Sequence, residues 1–173
     1  MTLTVSPTLP QVFADIRAFL LSIVPAGTIV LKGPVNRAAQ PAVDHIVVTP
    51  TYRKRLRTNE YTDDPINQTT AMEEGVQLDA QIDCYGGTLA PDWATMIETV
   101  FRSEYATQAL TTCQPLYADD ARQIPLTTGE EQYLQRWMVR AVLQYNPVTT
   151  TVQQSATALS VTTVNVDEAY PPA

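Results

Sequence analysis

Residues 129–147, GEEQYLQRWMVRAVLQYNP, constrain the fold of this chain more than any other stretch. From Tyr133 to Tyr145 the odd positions read Tyr, Gln, Trp, Val, Ala, Leu, Tyr, and the even positions read Leu, Arg, Met, Arg, Val, Gln. Successive side chains of a strand point to opposite faces, so this alternation describes a strand with one buried face. Extended from end to end, the stretch reaches roughly 40 Å at about 3.3 Å per residue. A compact chain of this length has a diameter of about 40 Å, so the strand crosses the body and projects at one end. A helix competes for the same residues. Leu134, Trp137, Met138, Ala141, Val142 and Tyr145 also fall at helical spacing, with Arg136 and Arg140 on a shared polar face. Periodicity alone leaves both readings open, and Asn146-Pro147 ends the element on either one.

The remainder of the chain supplies elements to flank that strand. Thr8 and Gln11 form a capping-box pattern, after which Val12, Ile16, Phe19, Leu20 and Ile23 mark one face of a helix over about 8–24. A short strand is expected at 29–32. Two more are expected at 45–49 and 52–59, on either side of Pro50, and a structureless polar loop at 61–70. Residues 75–85 give the cleanest alternation: Val76, Leu78, Ala80, Ile82 and Cys84 on one face, Gln77, Asp79, Gln81 and Asp83 on the other. This predicts an antiparallel strand wet on its polar side. Pro91 opens a second helix whose face is Trp93, Met96, Ile97, Val100 and Phe101. A short strand near Cys113, an ordered loop over 115–126 and a Thr/Val-rich strand over about 156–166 follow, and a free or partner-bound tail ends the chain. The pattern predicts a single α+β domain over 1–173, a mostly antiparallel sheet flanked by two helices.

Composition narrows the function. The net charge of −7 argues against a surface built to wrap nucleic acid. Its distribution is uneven: residues 1–60 hold seven basic and three acidic side chains (+4), and residues 61–173 hold four and fifteen (−11). Such a division suits head-to-tail association of copies, although solvated surface explains it equally well. No apolar run approaches the ~20 residues of a membrane span, and the N-terminus carries no secretory pattern.

Sites of chemistry are sparse. His45 is the only histidine, set among valines, and reads as a satisfied core or edge residue. Cys84 and Cys113 read as reduced core thiols, and with one histidine they fall short of a closed zinc site. The pairs Asp63-Asp64, Glu73-Glu74, Asp119-Asp120 and Glu130-Glu131 are poor acid/base dyads, because neighbours on a strand face opposite ways. No phosphate-binding glycine loop is present, so neither an enzyme nor a cofactor is expected. Arg53, Arg55 and Arg57 would line one sheet face, with Lys54 on the other. A row of that kind needs acids or phosphates to answer it, or serves as a charged edge guarding against aggregation.

A set of ordered segments resembles a known family. These are Asn36-Arg37, RLRTN at 55–59, VQLDAQIDCYG at 76–86, DWA at 92–94 and FRSEYA at 101–106. PLYADDARQIPL at 115–126, GEEQYLQRW at 129–137, LQYNP at 143–147 and VTTVNVDE at 161–168 complete it. Together they are similar to the neck and tail terminator proteins of tailed bacteriophages, from about Val35 to the C-terminus. The resemblance implies a structural virion protein, assembled in the host cytoplasm, that forms a hexameric ring on the head-proximal end of the tail tube. Such a ring halts tube polymerisation and docks the head connector while DNA passes through its lumen without sequence-specific binding. A stopper or gateway ring of the same neck is the alternative. On this reading the candidate inter-subunit or neck-partner residues are Arg37, Arg53, Arg55, Arg57, Asp119, Asp120, Arg122, Glu130 and Glu131. No cofactor, metal or membrane enters.

Overall fold

The computed structural model describes residues 3–33, 41, 43–127 and 133–152. In chain order the elements are β1 (Thr4–Ser6), α1 (Leu9–Ile23), β2 (Ile29–Lys32), β3 (His45–Arg55), β4 (Glu60–Asp64), β5 (Thr69–Glu73) and β6 (Val76–Tyr85). Then come α2 (Ala90–Phe101), α3 (Glu104–Ala109), β7 (Gln114–Ala118), β8 (Arg122–Gln123), β9 (Leu126–Thr127), β10 (Tyr133–Leu134), β11 (Arg136–Tyr145) and β12 (Val148–Val152). The α+β class and the mostly antiparallel sheet are as expected, and the strand reading of the central stretch holds. A third helix, α3, joins the two foreseen.

The main sheet has the order β2-β3-β6-β11-β7, with β8 also paired to β11. Only β2 and β3 run parallel. β6 and β11 lie side by side in full register, from Trp137 opposite Cys84 to Tyr145 opposite Val76. Their apolar faces coincide: Val76, Leu78, Ala80, Ile82 and Cys84 are buried beside Val139, Ala141, Leu143 and Tyr145. The helices cover that face. α1 buries Val12, Ile16, Phe19 and Leu20, and α2 buries Trp93, Ala94, Ile97 and Phe101. Phe19 and Phe101 meet edge to face at 5.4 Å, locking the two helices over the sheet. The start of α1 follows from its sequence: the Thr8 backbone N–H and hydroxyl both donate to Gln11 Oε1, at 2.7 and 2.9 Å.

Four local expectations need correction. The strands expected on either side of Pro50 are one strand, β3. A register shift between Pro50 and Tyr52 absorbs the missing N–H, and the strand ends at Arg55 rather than Asn59. The supposed loop at 61–70 is a hairpin: β4 pairs β5 from Glu60 opposite Glu73 to Asp64 opposite Thr69. The stretch 115–126 carries β7 and β8 rather than a plain loop. The polar side of β6 is not wet, for reasons given below. The strand expected at 156–166 and the terminal tail lie outside the described residues.

A second sheet, order β1-β12-β5-β4, continues the first. β5 runs into β6 through Glu74-Gly75, and β11 runs into β12 through Asn146-Pro147. The Glu74 N–H donates to the Pro147 carbonyl at 3.1 Å, so the ladder carries through both bends. Residues 69–85 beside 136–152 therefore make a ribbon roughly 55 Å long at about 3.3 Å per residue. None of the strand residues in the second sheet is buried. The ribbon crosses the helix-covered body and leaves it as an arm.

Candidate functional site

The basic row sits where the arm leaves the body. Arg53 and Arg55 are on β3, and Arg57 lies just beyond it, on the way into β4. Arg53 Nη2 donates to Glu74 Oε2 at 2.9 Å, and Arg55 Nε stands 4.0 Å from the same carboxylate. Arg55 also donates to the Arg57 carbonyl and to Asn59 Oδ1, at 2.8 and 2.7 Å. Arg57 bridges Glu60, at 2.7 Å, and Glu73. The hairpin thus brings acids of the same chain against the row, which relieves like-charge repulsion along β3. All three guanidinium groups stay substantially exposed, so each pair contributes only about 0–1 kcal/mol, and their outer faces remain open to a partner.

Asp119 and Asp120 occupy a separate cluster beyond β7, and among the described residues no bond joins it to the arginine row. The two carboxylates diverge. Asp119 Oδ2 accepts from Arg140 Nη1 at 3.1 Å, while Asp120 Oδ1 accepts from Arg102 Nη2 at 2.7 Å. That hydrogen bond, with the charge behind it, holds the Asp120 carboxyl below the usual range and raises Arg102 in turn. Arg102 also grips Glu98 at 2.7 Å and the Ala118 carbonyl at 2.9 Å, which pins the 119–121 bend to α2. Arg122 is exposed on β8 and has no carboxylate within ion-pair distance among the described residues. Arg37, Glu130 and Glu131 lie outside the described residues.

Reading the sequence missed a charged ladder across the sheet face away from the helices. Asp79 and Asp83 are each only 3% exposed. Arg140 Nε donates to Asp79 Oδ2 at 3.1 Å, and Arg136 Nε donates to Asp83 Oδ1 at 3.0 Å. Each arginine faces Gln81 or Tyr85 directly and reaches the acid diagonally across the strands. Gln77 and Gln81 donate to the remaining oxygens at 2.9 and 2.7 Å. These carboxylates raise both arginines above their usual range, Arg140 most of all. A signal was present: aspartates four apart on β6 match arginines four apart on β11, so both pairs can form at once when the two strands lie side by side.

The nucleophile and imidazole types are committed to structure. His45 is buried, its Nδ1 donates to the Val43 carbonyl at 2.8 Å, and its ring stacks on Tyr85 at 4.9 Å. Burial pushes both free thiols up to about 12, helped by Asp83 beside Cys84 and by Asp15 beside Cys113. Little thiolate exists at neutral pH, so Cys113 is a weak nucleophile in the open groove of about 530 Å³ that it lines with Thr111, Gln114 and Tyr145. None of the helices among the described residues is long and apolar enough to cross a membrane.

Fold and surfaces together define a class: an α+β scaffold in which ion pairs tie the strands of a long ribbon and whose second sheet buries none of its described strand residues. Residues 11–169 match the phage neck terminator protein family, and the chain belongs to it. It is thus a bacteriophage neck protein, a component of the virion that works against other head and tail proteins. None of the curated proteins compared with the chain matches it.

Proposed function

We propose that copies of this chain close into a hexameric ring on the head-proximal end of the tail tube. There the ring ends tube polymerisation, joins the tail to the head connector and leaves a lumen through which DNA passes without sequence-specific binding. The chain acts as one structural domain with no catalytic step and no cofactor, and it assembles in the host cytoplasm before entering the virion. Family membership supplies the neck. The ribbon supports the ring: a protomer whose helices cover one face of the main sheet, and whose second sheet buries none of its described strand residues, leaves surface for an unlike face of a neighbouring copy to cover. Contacts between unlike surfaces generate rings when the rotation closes. Arg53, Arg55, Arg57 and Arg122, with Asp119 and Asp120, are the described charges that would face a neighbouring copy or neck protein. Arg37, Glu130 and Glu131 complete that set.

Removing the gene from an otherwise intact phage tests the reading. The expected result is tails of uncontrolled length beside unjoined, DNA-filled heads. Tails of normal length that merely fail to attach would move the protein to another neck ring, a stopper or gateway. Normal infectious particles would end the proposal.

A further inference from the structure

The tip of the β4–β5 hairpin holds a large aliphatic side chain in water. Ile66 is 90% exposed, on a turn built to keep it there. Pro65 fixes the backbone before it. Asp64 Oδ1 accepts the N–H groups of Ile66 and Asn67 at 2.9 and 3.1 Å, Asp64 Oδ2 accepts from Asn67 Nδ2 at 2.6 Å, and Gln68 closes the turn in the left-handed region at φ 53°. A preordered turn presenting one aliphatic side chain is the form of a docking anchor, because the entropy of ordering it is spent before contact. Beside it, Asp63 and Asp64 bond only neutral groups among the described residues.

The complement exists on the same chain. Among the described residues β2 is an edge strand paired only to β3, and it exposes Ile29 (37%) and Leu31 (36%). Two cations flank these side chains without a carboxylate partner among the described residues. Arg17 donates Nε to the Val30 carbonyl at 3.0 Å, and Lys32 Nζ stands 5.6 Å from the Phe13 ring. An aliphatic anchor with two unanswered acids therefore matches an aliphatic edge with two unanswered bases. Within one protomer they cannot meet. Lys32 lies level with Val48 and Ile82, at the end of the sheet away from the arm, about 50 Å of ribbon from the tip at ~3.3 Å per residue.

We propose that the hairpin tip is the plug of a head-to-tail contact between copies: Ile66 seats against Ile29 and Leu31 on the β2 edge of the next protomer, with Asp63 and Asp64 answered by Arg17 and Lys32. This contact rests on the ring reading above and gives that ring its specific joint. It is heterologous, the kind that closes a cycle.

Cysteine pairing tests it, since Cys84 and Cys113 are buried and slow to react. Ile66→Cys mixed with Leu31→Cys under mild oxidation is expected to give a dimer-sized product about tenfold faster than Ile66→Cys mixed with Leu116→Cys, because docking makes the first reaction effectively intramolecular. Asp63→Lys added to the first member slows the reaction, and Lys32→Glu added to the second restores it. Sedimentation of the wild type runs in parallel. Equal rates in the two mixtures from a protein that does assemble overturn the tip contact and leave the ring standing. Equal rates from a protein that stays monomeric overturn the tip contact and count against a self-made ring. The fast product from a protein that is otherwise monomeric upholds the contact and assigns ring closure to the neck surroundings.

Discussion

Asp79 is a buried carboxyl whose one ion-pair partner among the described residues is Arg140. Removing half of a buried ion pair costs about 3–5 kcal/mol, whereas replacing both halves by apolar groups is often close to neutral. Arg140 is partly exposed, so solvent screens the loss. Arg140→Met is expected to cost about 2 kcal/mol by urea unfolding, reduced from the buried-pair figure for that screening. Asp79→Leu combined with Arg140→Met should recover more than half of it, and a double mutant as unstable as the single would show that the pair does not act as a unit. The sequence shows both residues plainly but not their pairing. They lie 61 positions apart, Arg136 and Asp83 lie 53 apart, and only the strand register brings either pair together. For that reason the acids of β6 read as a wet face.

At the scale of elements, what was legible depended on burial. β6, β11, α1 and α2 each bury an apolar face, and hydrophobic spacing records that face. The hairpin of β4 and β5, and the strands β1 and β12, bury no residue fully, so their Tyr, Thr and Val residues carry β propensity with no buried period to reveal it. β3 was split in reading because proline usually interrupts a strand, and here a bulge accommodates it. The hairpin turn rests on one side chain, Asp64, whose carboxyl is held below the usual range by its hydrogen bonds with Asn67 and Ile66. Asp64→Ala is expected to speed amide exchange of residues 66–70 by about tenfold, the turn fluctuating by local opening while the body keeps its protection. Unchanged exchange across the turn would show that Pro65 alone maintains it.

Across the whole molecule, Asp15 ties distant parts of the chain together. A single oxygen, Oδ2, accepts from the backbone N–H groups of Thr111 and Thr112 at 2.8 and 2.7 Å and from both hydroxyls, joining α1 to the segment between α3 and β7. Partial burial works against its charge, and the hydrogen bonds from Thr112 and Thr111 outweigh it, so the carboxyl titrates below its ordinary value of 3.8. A carboxyl depressed in the folded state contributes stability that is present above its unfolded value and is lost as pH falls through the folded one. Thermal melts are therefore expected to drop below about pH 4, and Asp15→Asn should flatten that acid limb while lowering stability at neutral pH. An acid limb as steep in the variant as in the parent would place the titrating group elsewhere.

The register that carries through Glu74-Gly75 and Asn146-Pro147 has a mechanical consequence. A pull applied at the hairpin and resisted at the helix-covered body runs along the strands, so the rungs between β5–β6 and β11–β12 share the load in shear instead of peeling apart singly. In the ring proposed above, a joint under load would be served by that geometry, in which many weak bonds yield only together.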